Sequence, residues 1–182
     1  EPGDTKEIVE SLRANTIDVA VTLEPDREPD FTFSPLFTDE LMFLVNPKHR
    51  WAEARRAMRM DIPREQYILY FRNSRTFEQI ENYFQTEKMA IKSVIDMGSM
   101  SAIKELVKLG LGVTILAPWG AQNELTKKSL VALPLGRRKL KRQWGVLYWK
   151  ERPMGWAEDT FIKLCQSGAR QFAASNGLSA HV

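Results

Sequence analysis

A chain of 182 residues with 43% hydrophobic and 27% charged side chains has the composition of an ordinary globular protein and is long enough to bury a sizeable core. No apolar run approaches the roughly 20 residues that cross a bilayer, and a single cysteine, Cys165, excludes an internal disulfide and a cysteine metal cluster. The net charge of +3 is local in origin: Arg137, Arg138, Lys139, Lys141 and Arg142 supply five cations, and without them the chain is negative. Such a run reads either as a nucleic-acid contact or as a solvated connector. With no aromatic platform or glycine-rich loop beside it, the connector reading is preferred. Cys165 stands beside Phe161, Ile162 and Leu164 and reads as a small buried hydrophobe; cysteine usage this sparse points to a reducing cytoplasm. The opening Glu1-Pro2-Gly3-Asp4 carries neither an initiator methionine nor a signal-peptide pattern, so the chain is expected to be a fragment.

Ile8, Val9 and Leu12 share one helical face, and Asn15 is placed to take a left-handed stop before a strand over Ile17-Asp18-Val19-Ala20-Val21. Asp18 within that strand reads as a structural hydrogen-bond acceptor rather than a catalytic carboxylate. A proline-punctuated loop over 24–30 leads to a strand-like stretch over 31–37 and an interior strand over 40–45, apolar on both faces. Residues 50–60 read as a short helix and 67–71 as a second interior strand, followed by a polar turn. Phe77, Ile80 and Phe84 then define a helix for which Ser74 or Thr76 is the N-cap. A short strand over 91–96 precedes a helix opened by Gly98-Ser99-Met100-Ser101.

That helix carries Ile103, Leu106 and Val107 on one face, and Gly110 is placed for the left-handed residue past its end. Gly112 permits a close approach of backbone to sheet before a strand over 113–116, which Pro118 ends. A helix over 119–128, a short strand over 130–133 and a strand over 143–149 follow. A closing helix over 156–172 precedes a tail, 176–182, expected to be flexible. Two helix-into-strand units about ninety residues apart are spaced too widely for a solenoid and fit two similar α/β halves.

In this order the motifs resemble the effector-binding domain of the LysR-type bacterial transcription regulators. The most specific are Leu12 with Ile17-Asp18-Val19-Ala20-Val21; Pro35-Leu36-Phe37 with Glu40-Leu41-Met42-Phe43-Leu44-Val45; Pro47-Lys48-His49; and Leu106 through Pro118. Arg50 and Trp51 depart from the proline and leucine usual after the histidine, a change read as touching a surface turn. The resemblance implies an α/β, type 2 periplasmic-binding-protein-like fold: two Rossmann-like subdomains joined by two crossover segments, with a ligand in the cleft. It places the crossovers near 66–70 and 135–142, subdomain I at 1–65 plus 143–175, and subdomain II at 66–142. It also implies that a first strand and helix, and a winged helix-turn-helix that reads DNA, precede Glu1. Homodimers and homotetramers are part of the same expectation.

Helix N-termini present unpaired N–H groups and partial positive charge, so several converging starts make an anion site. The candidate effector contacts are Thr5, Thr22, Asn73, Ser74, Arg75, Ser99, Met100, Ser101, Pro118 and Trp119, each hydroxyl being equally readable as a helix cap. The expected ligand is a carboxylate or phosphorylated metabolite, with no cofactor, metal or membrane partner. The only histidines, His49 in a polar turn and His181 in the tail, supply no convincing base for nucleophilic catalysis, so the chain is read as no enzyme. The competing reading is a solute-binding protein of a transport system, since one architecture serves both functions.

Overall fold

The computed structural model describes residues 3–181. In chain order the elements are α1 (Thr5–Arg13), β1 (Val19–Leu23), β2 (Phe31–Val45), α2 (Arg50–Ala54), β3 (Gln66–Leu69), α3 (Arg75–Thr86) and β4 (Ser93–Asp96). They continue with α4 (Met100–Lys108), β5 (Thr114–Leu116), α5 (Gln122–Thr126), β6 (Val131–Pro134), β7 (Leu140–Trp149), α6 (Trp156–Asn176) and β8 (Ser179–Ala180). Short 3-10 turns occupy Ile62–Arg64 and Pro118–Ala121. The chain divides into two units, one of Glu1–Asp39 with Lys141–Val182 and the other of Glu40–Leu140.

In the first unit, Asp4 caps α1 by accepting from the Lys6 amide, while its own amide donates to Glu7, a capping box that satisfies two backbone donors at the helix start. Val9 and Leu12 bury the inner face of α1 against Phe31 and Leu147, and Trp149 Nε1 donates to the Leu12 carbonyl at 2.9 Å. Asn15 takes a left-handed φ of 54°, as its position before β1 requires. β1 runs antiparallel to β7, from Val19 opposite Tyr148 to Leu23 opposite Trp144, and β7 pairs on its other side with β2. Asp18 lies before β1 rather than inside a strand, and it pairs with Arg152 at 2.5 Å on an exposed surface. The acceptor expected within a strand is therefore a surface ion pair beside one.

The tail is not loose. β8 pairs antiparallel with β2, Phe37 opposite Ala180 and Thr38 opposite Ser179, and the His181 amide donates to the Leu36 carbonyl at 3.0 Å. Gly177, at φ 64°, turns the chain back from α6 so that these residues cover a strand edge. Val182 lies outside the described residues.

The second unit is organised around parallel strands. β3 and β4 pair in parallel, Tyr67 bridges in parallel to Val113 at the entry to β5, and β2 takes β5 and β6 as antiparallel neighbours. Alternating residues feed two cores: Phe43 and Tyr67 join Trp51, Ile80 and Phe84 on one face, and Leu44 and Ile68 join Ile103, Val107 and Leu130 on the other. Interior strands covered on both faces read as unbroken apolar runs for this reason.

The glycines after α4 behave as expected. Gly110 adopts φ 78°, with its amide on the Val107 carbonyl and that of Leu111 on the Leu106 carbonyl. A Cβ at Gly112 would stand 2.6 Å from the Gln66 carbonyl oxygen, so only glycine lets this segment reach β3.

Several boundaries differ from the sequence expectation. The stretches 31–37 and 40–45 form one strand, β2, in which the chain leaves the first unit at Asp39 and enters the second at Glu40. Residues 40–65 therefore belong with 66–140, not with subdomain I, because β2 pairs with β5 and β6 and because Trp51 and Ile62 are buried in the same core as Phe43. The return passage falls at Leu140–Lys141, inside β7. The helix expected over 50–60 stops at Ala54, where Arg55 turns left-handed at φ 53°. Trp51 is fully buried, so the departure from the family pattern at that position refills a core rather than a surface turn. No helix of the described residues is long and apolar enough to cross a membrane.

Candidate functional site

In the second unit, β3, β4 and the entry to β5 run in parallel, and each is followed by a helix or turn start. β3 leads through residues 70–74 to α3, β4 through 97–99 to α4, and β5 into the turn at Pro118–Ala121. Open α/β sheets hold ligands outside the carboxyl ends of such strands, where helix N-termini face outward. The loops are tied together: the Met97 amide donates to the Leu69 carbonyl at 3.0 Å, the Arg72 amide to Asp96 Oδ2 at 3.4 Å, and Lys104 Nζ to the Gly120 carbonyl at 3.1 Å.

Of the residues singled out here, Ser74 is the N-cap of α3. It is buried, and its hydroxyl accepts from the Phe77 amide at 3.2 Å. Arg75 follows as the first helical residue, 3.6 Å from Glu78. Asn73 is exposed and does not cap the helix. Ser99 caps α4 by accepting from the Ala102 amide at 3.3 Å. The amides of Met100 and Ser101 open the helix without an intrahelical acceptor, and both residues are exposed. Pro118 opens the 3-10 turn, and half-buried Trp119 packs on the core to which Tyr67 and Leu135 belong. The three starts thus share one edge of the second unit.

The first unit brings together the other two. Thr5 and Thr22 are both buried, and Thr22 Oγ1 donates to Thr5 Oγ1 at 3.0 Å. The Thr22 proton is spent on Thr5, whose hydroxyl oxygen accepts it. The N-cap of α1 is Asp4, so the capping alternative for Thr5 falls away.

Sequence reasoning missed Asp39. Its carboxylate is 1% exposed and receives Arg142 Nε at 2.9 Å, Arg142 Nη2 at 2.6 Å and Trp144 Nε1 at 3.0 Å. Arg142 is itself 7% exposed and lies 5.6 Å from the Trp144 ring. The signal was an acid inside an apolar strand and an arginine at the end of a cationic run, and the run concealed the arginine. Nor is the run a solvated connector throughout: Arg138 lies 4.3 Å over the Tyr83 ring and pairs with Glu87, and Lys139 pairs with Glu40. Burial, with Glu87 nearby, raises the Tyr83 phenol above its ordinary value. Burial likewise raises the Cys165 thiol, which keeps it protonated and unreactive.

A family description, LysR substrate binding domain, matches residues 1–170. The RuBisCO operon transcriptional regulator of Allochromatium vinosum is 23% identical over 162 residues, covering 89% of this chain and 54% of that protein. The chain spans about half the length of the curated relatives it matches. Among solved structures, the effector binding domain of QuiR in complex with shikimate superposes with a TM-score of 0.79 at 21% identity, covering 93% of this chain and 79% of that one. The Synechocystis CcmR regulatory domain in complex with 2-PG gives 0.78 at 21% identity, covering 91% and 80%. The fold is that of these domains, as expected of a type 2 periplasmic-binding-protein-like chain. With the family description matched along nearly its whole length, this chain belongs to the LysR substrate-binding domain family.

Proposed function

We propose that the chain is the ligand-sensing part of a LysR-type transcription regulator and takes a small anionic effector, a carboxylate or a phosphorylated metabolite. The observation that carries this reading is the single edge of the second unit on which Ser74, Arg75, Ser99, Met100, Ser101, Pro118 and Trp119 stand, at the starts of two helices and a turn that follow parallel strands. Thr5 and Thr22 are included for their own paired, buried hydroxyls, and exposed Asn73 directly precedes the Ser74 cap. Anions suit helix starts because the partial positive charge and unpaired amides are already in place. That QuiR was solved with shikimate and CcmR with 2-PG supports a small effector of this kind.

The reading makes the domain a binding module of a cytoplasmic homodimer or homotetramer whose DNA contacts lie in another part of the protein. An effector shifts its conformations only by differential affinity for them. That shift changes subunit packing and, through it, how paired DNA-binding domains meet two half-sites.

A thermal-shift screen of the chain against small carboxylates and sugar phosphates tests the reading. A ligand at 100 times its Kd raises stability by about 2.7 kcal/mol. Ser101→Trp, at an exposed position, is expected to abolish the shift while the apo melting point stays close to that of the parent; Thr22→Val, which removes a buried hydroxyl bonded to Thr5, is expected to weaken the shift and to lower the apo melting point by a few degrees. An undiminished shift takes those residues out of the site, and a panel with no hit refutes the anionic effector.

A further inference from the structure

The second unit (Glu40–Leu140) carries 17 lysines and arginines against 10 aspartates and glutamates, an excess larger than the +3 of the whole chain. Six of those cations, Lys48, Arg50, Arg55, Arg56, Arg59 and Arg64, lie on or beside one loop. Trp51 and Ile62, buried in the core, anchor its two ends, and the Tyr67 hydroxyl donates to the Ile62 carbonyl at 2.9 Å. Between them the Arg56 amide closes on the Trp51 carbonyl at 3.1 Å and the Asp61 amide on the Met58 carbonyl at 2.8 Å. Arg59 Nη2 donates to the Glu87 carbonyl at the end of α3 at 2.5 Å. The loop is thereby held in one place.

Its outer surface combines cations with thioethers. Among the described residues no carboxylate pairs with Arg55, Arg56, Arg64 or neighbouring Lys88, whereas Arg50, Arg59 and Arg138 all have acidic partners. Met60 is 77% exposed and Met58 42% exposed between them. Guanidinium groups offer a planar fork to carboxylates and phosphates alike, but a phosphodiester backbone would leave both methionines in water. Flexible thioethers are instead suited to apolar side chains of varied shape. Glu53, exposed on α2, interrupts the positive surface, which a continuous polyanion tolerates less well than separate carboxylates do. We propose that this loop is a docking surface for an acidic, amphipathic segment of a partner protein.

The test is fluorescence anisotropy at low salt, titrating the chain into a labelled peptide with glutamate and leucine at helical spacing. An all-glutamate peptide and oligothymidine of equal length serve as rival probes. Arg55→Asn with Arg56→Gln is expected to weaken binding of the amphipathic peptide about tenfold, and Met60→Ser about threefold. All three side chains are exposed and asparagine accepts the left-handed backbone at position 55, so an unchanged circular-dichroism melt is part of the expected result. Arg170→Gln, an exposed cation on α6, should leave binding intact. Equal affinity for oligothymidine or polyglutamate, with no effect of Met60→Ser, overturns the proposal in favour of unspecific polyanion contact. Indifference to the arginine changes overturns it outright. A sedimentation mass of two chains that falls to one in the arginine variant assigns the loop to a second copy and likewise overturns it.

Discussion

Arg142→Met should be among the most damaging single changes in this chain, for reasons the Asp39 site makes explicit. The substitution keeps an unbranched side chain of similar reach but removes two donors from a carboxylate that is 1% exposed, leaving only Trp144 Nε1 of the three contacts at 2.6–3.0 Å. Removing one partner of a buried ion pair strands an uncompensated charge and costs about 3–5 kcal/mol. For a protein of this size each kcal/mol is worth roughly 2–4 °C, so the melting point should fall by roughly 6–20 °C. Asp39→Leu should cost a similar amount, since it orphans the guanidinium instead. The double variant, Asp39→Leu with Arg142→Met, buries no charge and should recover most of the loss. Urea unfolding of the four proteins, read as a double-mutant cycle, gives the coupling directly. If Arg142→Met costs less than about 1 kcal/mol, or if the double variant loses the sum of the singles, the pair is not the buried, mutually dependent unit described here.

Gly112→Ala places a methyl group 2.6 Å from the Gln66 carbonyl oxygen; the backbone must shift, at about 1–3 kcal/mol, and an unchanged melting point would refute the close approach. Trp51→Ala empties a fully buried site whose ring packs 5.0 Å from Phe43 and should cost about 3–5 kcal/mol in urea unfolding. At Glu124, burial pushes the carboxyl up, but hydrogen bonds from the backbone and Lys104, with the charges of Lys104 and Lys108, outweigh it and hold the group below the usual carboxylate range. A depressed folded-state value gives stability that is present above the unfolded-state value and is lost as pH falls through the folded one. The difference between parent and Glu124→Gln should therefore be full at neutral pH and vanish at the acid end of a pH series of urea midpoints; a difference that grows with acidity would reverse the sign.

What the sequence determined by itself was local punctuation and its consequences. Gly110 and Asn15 mark the ends of α4 and α1 because their left-handed backbone is a property of the residue and its immediate neighbours. Ser74 and Ser99 were legible as helix starts for the same reason, since a cap reaches only three residues along. The unbroken apolar runs around Phe43 and Ile68 announced strands buried on both faces.

Tertiary structure decided which distant groups meet. Asp39 and Arg142 are 103 residues apart, and no periodicity distinguishes the arginine that is buried from Arg137 and Lys141 beside it. The tail looked polar and free, yet an unpaired edge of β2 was there to take it. Thr5 and Thr22 were each legible as a hydroxyl near an element's end, but only packing of α1 beside β1 joins them. The unit boundary moved from residue 65 to Asp39 because β2 continues unbroken into new partners. Propensities and caps act over a turn or two of chain; ion pairs, strand edges and core anchors are settled by which surfaces exclude water together, and that choice is made only when the whole chain is folded.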